Sequence, residues 1–237
     1  MGRIVAIGGG IFEDLRPIHQ YAIEIAGVDR AKVLFIPTAS KDNDGYIGAF
    51  KKAFDEYNCE VKTLLLIKGQ YETSAIDELI NWADMIYIGG GNAVYMMNVW
   101  RKFGIDQKLK EVFSTDSAVL VGQASGALCF FQCGYSNSVY SSGKTDWQMI
   151  WSDDLLDLHH DALCPHYSGN DMKNFDKRLL EREVPGIGLA DKTAFVQIGH
   201  HTEYVSCTAD DRAFYLIYLN GELVKKEINM KCLNGTD

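Results

Sequence analysis

No stretch of this 237-residue chain approaches the roughly 18 consecutive apolar residues of a membrane span, so a membrane-embedded protein is not expected. The N-terminus, MGRIVAIGGG, has one basic residue and an apolar run of four, too short for a signal peptide, and a cytoplasmic location is the expectation. Positive charge is also scarce. With 23 Lys and Arg against 32 Asp and Glu, the net charge is -9, and no basic cluster is longer than a pair. Such a surface repels phosphate backbones and anionic lipid, which argues against nucleic acid or membranes as partners. Close cysteine pairs are missing as well. The six cysteines are dispersed, and Cys129 with Cys133 lacks the second close pair of a zinc site, so all six are read as reduced thiols.

A dinucleotide fingerprint is absent too. Counting G-x-G-x-x-G from Gly89 puts Val94 where the last glycine belongs, and counting from Gly8 puts Glu13 there, which disfavours NAD. Neither His159-His160 nor His200-His201 can chelate a metal alone, because adjacent side chains on a strand face opposite ways. His19 is placed on a solvated helix face. No metal and no cofactor are expected.

The chain does have a hydrophobic content of 47% and a regular alternation of segments. Strand-length apolar runs occur at RIVAIGGG (3–10), KVLFIPTAS (32–40), VKTLLLI (61–67), DMIYIGGG (84–91) and AVLVG (118–122). Amphipathic stretches lie between them, at Pro17–Ala26, Ile47–Tyr57, Ser74–Trp82 and Ala93–Phe103. This pattern predicts an α/β fold, a doubly wound and mostly parallel sheet flanked by helices. Past Gly186 the runs GIGLA, TAFVQIG, EYVSC and AFYLIYLNGELVKKEI, with Asn220-Gly221 as a type I′ turn, predict that the sheet ends in antiparallel strands. No linker or repeat divides the chain, and residues 1–237 are read as one domain.

Ligands of open α/β sheets sit beyond the carboxyl ends of the strands. Three such ends here are small or glycine-rich: Gly8-Gly9-Gly10, Gly89-Gly90-Gly91-Asn92, and Gly122-Gln-Ala-Ser-Gly126. The last has the glycines of a nucleophile elbow, a sharp strand-to-helix turn that holds one side chain at its apex, but the apex residue is Ala124. Bare N–H groups after a neighbouring strand can face such an elbow as an oxyanion site.

With these motifs in order, the chain resembles the peptidase E family of aspartyl dipeptidases and cyanophycinases, whose elbow reads G-x-S-A-G-A. The likeness rests on IGGG near the start, FIPTAS (35–40), YIGGGN (87–92), the G-x-x-x-G-A-x-C-x-F of 122–131, Pro165-His166-Tyr167 and GIGLADKTA (186–194). The resemblance implies a class I glutamine amidotransferase-like fold and a Ser-His-acid hydrolase of Asp-containing dipeptides or β-aspartyl bonds. It carries the nucleophile position to Ala124 and the general base to His166. The acid goes to Asp191, as in cyanophycinase-like members, or to the segment after the elbow, where this chain has Asn137. The oxyanion and substrate-binding groups fall on Gly90, Gly91, Asn92, Gln123 and Ser125.

Ser125 is the alternative nucleophile, but one step into the helix its side chain is rotated by about 100° and should point away from His166. Its expected role is local hydrogen bonding, and that of Cys129 is buried packing. Two main readings follow: an inactivated variant whose active elbow would be Gly-Gln-Ser-Ser-Gly, or a natural pseudo-peptidase that binds a peptide or acidic ligand without cleaving it. Arg101, Lys144 and Lys192 are candidates to read a substrate carboxylate. The partner expected is a small Asp-containing peptide, with the oligomeric state, a homodimer included, left open.

Overall fold

The computed structural model describes residues 2–140 and 147–234, with side chains for 2–135 and 150–234. Five short strands, β1 (Arg3–Ile7), β2 (Lys32–Ile36), β3 (Glu60–Thr63), β4 (Met85–Ile88) and β5 (Val119–Gln123), pair in parallel in the order β1-β5-β4-β2-β3. Their near-continuous apolar runs reflect burial on both faces. On β1, Ile4 and Ala6 enter one core, while Val5 and Ile7 enter the other. Helices α1 (Arg16–Ala26) and α2 (Asp44–Asp55) cover the second of these faces; α3 (Thr73–Trp82), α4 (Ala93–Phe103) and α5 (Ile105–Thr115) cover the first. A four-residue helix, α6 (Ser125–Leu128), follows β5.

The first sheet continues into antiparallel strands as expected, but six of the later strands leave it for a second sheet. Only β10 (Thr193–Ile198), β11 (His201–Ser206) and β14 (Lys231–Cys232) extend the first sheet, beginning with β10 antiparallel to β1. A second sheet is built from β6 (Phe131–Tyr140), β7 (Trp147–Ser152), β8 (His159–Pro165), β9 (Gly186–Leu189), β12 (Ala213–Leu219) and β13 (Glu222–Glu227), in the order β13-β12-β9-β8-β6-β7. The Asn220-Gly221 hairpin joins β12 to β13 there, both turn residues having the positive φ of a type I′ turn. One face of this sheet puts Phe131, Leu163, Ile187 and Leu189 into the same core as Ile4 and Leu120; the other packs on α7 (Gly169–Arg182). The run VKTLLLI is strand only to Thr63, and buried Leu64 and Leu66 fill the core from irregular backbone. All six cysteines are free thiols. Among the described residues no helix is long and apolar enough to cross a membrane.

His19 corrects its assignment to a solvated face. Leu15, the N-cap residue of α1, and Ile18, His19 and Ala22 within the helix share one stripe by their i, i+3, i+4, i+7 spacing, and His19 is only 1% exposed. Its ring packs against Phe54 and Tyr87, and Nε2 lies 3.1 Å from the Tyr87 hydroxyl, while buried Nδ1 has no partner. The neighbouring bonds assign the tautomer. Tyr87 O–H donates to Gln123 Oε1 (3.3 Å), so Nε2–H donates to Tyr87 and the bare lone pair is on Nδ1. Burial drives the imidazole pKa from 6.5 to about 3.

Between those two values the unfolded chain binds a proton at this position that the folded chain refuses, so stability falls as pH is lowered through the window and is full above it. From pH 7 to pH 5 this one group should remove roughly 2 kcal/mol. In urea unfolding at the two pH values, His19→Gln should show a pH dependence smaller by about that amount. Equal dependence in the two proteins would mean that His19 is protonated in the fold.

Candidate active site

Between β5 and α6 the chain turns at Ala124, whose φ of 52° and ψ of -114° lie in a region that L-residues rarely occupy. The turn is tight because backbones cross there. A Cβ on Gly122 would overlap the Gly126 carbonyl, and one on Gly126 would overlap that of Ile88, so neither position accepts a side chain. The Ala124 N–H donates to the Ile7 carbonyl at the end of β1 (2.9 Å).

His166 follows β8 of the second sheet, also at positive φ (52°), and its N–H donates to the Gly8 carbonyl (3.0 Å). Its Nδ1–H donates to Asp191 Oδ1 at 2.6 Å. Asp191 lies between β9 and β10, and the N–H of the next residue, Lys192, donates to the Gly9 carbonyl (2.9 Å). The imidazole and carboxylate lie directly over Gly9, where any Cβ would overlap both. The hydrogen bond from His166 holds the Asp191 carboxyl below its ordinary pKa; the charges of His166 and Lys192 add to this, and partial burial opposes it. With Nδ1 engaged by the carboxylate, the nitrogen left to accept a proton is Nε2.

The positions around the apex are committed to specific bonds. Ser125 is 3% exposed, and its Oγ donates to the Gly91 carbonyl (2.6 Å), tying the elbow to the loop after β4. Gln123, expected to meet substrate, is 7% exposed and spends its amide internally. Nε2 donates to the Gly10 carbonyl (2.6 Å), and Oε1 accepts from Tyr46 (3.2 Å) and Tyr87 (3.3 Å). The Gly90 N–H donates to the Tyr46 hydroxyl (3.1 Å), and Asn92 caps α4 through a bond from the Tyr95 N–H (2.8 Å). Gly90 still adjoins the apex: a Cβ placed on it would be 3.4 Å from that of Ala124.

Cys129 is fully buried, its thiol 3.0 Å from the Gly126 carbonyl and its pKa raised by burial. Arg101 is paired with Asp154 and Lys192 with Asp14. Asn137 pairs with Met149 in the β6–β7 ladder, but its side chain, like all of Lys144, falls outside the described residues. Tyr46 went unrecognised in the sequence. The polar stretch Ser40–Gly45 that precedes it reads as a connection, although it follows a fourth strand end on the same edge of the sheet.

A turn of this kind at the carboxyl end of a parallel strand, with an imidazole hung from the neighbouring strand, defines a nucleophile-elbow scaffold on an α/β fold. The chain belongs to Peptidase family S51, the peptidase E family, whose profile it matches over residues 4–205. It is 31% identical over 172 residues to the uncharacterized peptidase YgaJ of Bacillus subtilis (strain 168), covering 71% of this chain and 70% of that one. It is 25% identical over 176 residues to the uncharacterized peptidase Lin0382 of Listeria innocua, covering 71% of this chain and 79% of that one. The fold is also similar to the crystal structure of a peptidase from an acI-B1 Actinobacterium, with a TM-score of 0.71 at 20% identity, covering 97% of this chain and 95% of the other.

Holding alanine at the apex conformation costs about 1–3 kcal/mol, which glycine would escape at an unfolded-state entropy penalty of under about 1 kcal/mol. Ala124→Gly should therefore raise the free energy of urea unfolding by about 1 kcal/mol. A loss of stability in that variant would show that the apex is unstrained.

Proposed function

We propose that this chain carries the scaffold of a serine-type peptidase for small Asp-containing peptides or β-aspartyl bonds, with the nucleophile position filled by Ala124 and hydrolysis therefore absent. The observation that supports it most is the combination at the elbow. Ala124 has the apex backbone, and the His166–Asp191 pair at 2.6 Å stands on the adjoining carbonyls of the same strand end. Nothing in alanine's own chemistry favours that conformation; the crossing of backbones at Gly122 and Gly126 imposes it.

With serine at position 124, its Oγ would attack the scissile carbonyl carbon as its proton passes to His166 Nε2, Asp191 stabilising the imidazolium through Nδ1–H. The N–H of Ser125 and the glycine loop after β4 face the developing oxyanion. There the Tyr46 hydroxyl either releases the Gly90 N–H or donates its own proton instead. His166 would then protonate the departing amine, and water, deprotonated by the same nitrogen, would release the acyl group. The carboxylate in this scheme is Asp191, a choice supported by its hydrogen bond with His166.

Ser125 does not replace the missing hydroxyl in this reading, since its Oγ is bonded to Gly91. The second reading, a natural binding protein that keeps the cleft, shares every one of these features and differs only in what a restored serine achieves.

Hydrolysis of Asp-Leu, other Asp-X dipeptides and β-aspartyl dipeptides is the test. The chain as it stands should be inert, and Ala124→Ser should gain activity on the order of a million-fold in turnover. An inert Ala124→Ser would favour the binding protein. Activity in the unaltered chain that disappears in Ser125→Ala would make Ser125 the nucleophile and overturn the proposal.

A further inference from the structure

A cavity of about 350 Å³ opens beside the elbow, walled by Ser40, Lys41, Asn43, Tyr46, Gly91 and Asn92. We infer that it is a carboxylate-binding subsite in which Lys41 reads an acidic peptide. The inference deepens the peptidase reading and rests on it for the place of the scissile bond.

Position is the first argument. Gly91 and Tyr46 form the wall nearest the apex, and the intervening Gly90 would bring a Cβ within 3.4 Å of Ala124 Cβ and 4.0 Å of the Tyr46 hydroxyl. A group bound at the apex thus has neighbouring atoms within a side chain's length of the cavity.

Charge is the second. Lys41 is the charged residue of the lining, and no Asp or Glu shares it. Among the described residues no carboxylate lies within ion-pair distance of its ammonium, which rests instead 5.3 Å from the Tyr95 ring centroid. Two of the cations considered as readers differ in this respect, since Arg101 and Lys192 already hold Asp154 and Asp14. Asn43 and Asn92 cap α2 and α4 at the cavity wall, so the positive ends of both helices add to the field of the ammonium.

Rigidity is the third. Lys41 and Asp42 both have left-handed backbone, with φ of 56° and 53°. The fully buried Asp42 carboxylate accepts the N–H groups of Ile67 (2.7 Å) and Lys68 (3.1 Å), which fastens the loop. The Lys41 backbone is therefore held in place before a ligand arrives, which lowers the ordering cost of binding.

The ligand is a carboxylate, and a dipeptide offers two: the side chain of an aspartyl residue and the free C-terminus. Calorimetric titration of the unaltered chain with Asp-Leu, Asn-Leu and Asp-Leu amide separates them. Lys41→Met should weaken Asp-Leu binding about tenfold or more, and Lys41→Arg should keep most of it. If the side chain is the group read, Lys41→Met leaves Asn-Leu affinity unchanged; if the terminus is read, it leaves the amide's affinity unchanged. In an Ala124→Ser background the same change should raise KM and spare kcat.

Undetectable binding of Asp-Leu to the unaltered chain, equal affinity in Lys41→Met, or an equal loss for all three ligands would overturn the subsite. An inert Ala124→Ser combined with Lys41-dependent binding would remove the peptidase reading and leave the subsite standing. An active Ala124→Ser indifferent to Lys41→Met would do the reverse.

Discussion

Four consecutive carbonyls at the end of β1 hold the site together. Ile7 accepts the N–H of Ala124, Gly8 that of His166, Gly9 that of Lys192, and Gly10 the side-chain amide of Gln123. The donors come from the end of β5 and the turn after it, and from the connections after β8 and β9, two strands of the second sheet. What brings them within bonding distance is a central strand, buried from Ile4 to Ile7, whose exit is made of glycine. Each bond contributes only about 0.5–1.5 kcal/mol net. Their joint effect is positional, because adjacent acceptors on one rigid segment fix the order and spacing of the groups attached to them.

Behind the elbow a second set of bonds reaches deeper. Gln123 accepts from Tyr46 and Tyr87, Tyr87 accepts from His19, and Tyr46 accepts from Gly90. Apart from His19 Nδ1, each side-chain nitrogen and oxygen of this buried cluster has a partner, and the bonds run in a single consistent direction of donation. The apex is thereby clamped from below by side chains and from the side by main chain, and both clamps meet at Gln123, the residue just before Ala124.

The parallel strands were legible because IVAI, VLFI, MIYI and VLVG are buried on both faces and show it as unbroken apolar runs. The elbow was legible because two glycines four apart meet a steric need that little else satisfies. The second sheet was not. Strands such as His159–Pro165 and Phe131–Tyr140 mix polar with apolar residues, and alternation in Ala213–Leu219 does not say which sheet a strand joins. Helix α7 buries only Phe175 and Leu179 and so gives little periodic signal. His19 was misread for its polarity, although its spacing from Leu15, Ile18 and Ala22 marked the buried stripe. Tyr46 and Lys41 escaped notice because their roles depend on where a polar loop lands beside another strand's end, a long-range fact with no local signature.

The bonds that position Ala124, His166 and Lys192 on β1 are made by peptide groups, and they do not depend on which side chains those residues carry. Frame and reagent are therefore separable in this molecule. A methyl group can stand at the apex without disturbing the placement of the imidazole or the carboxylate. The side chain at one Cβ can therefore change by a single atom while the architecture around it stays the same.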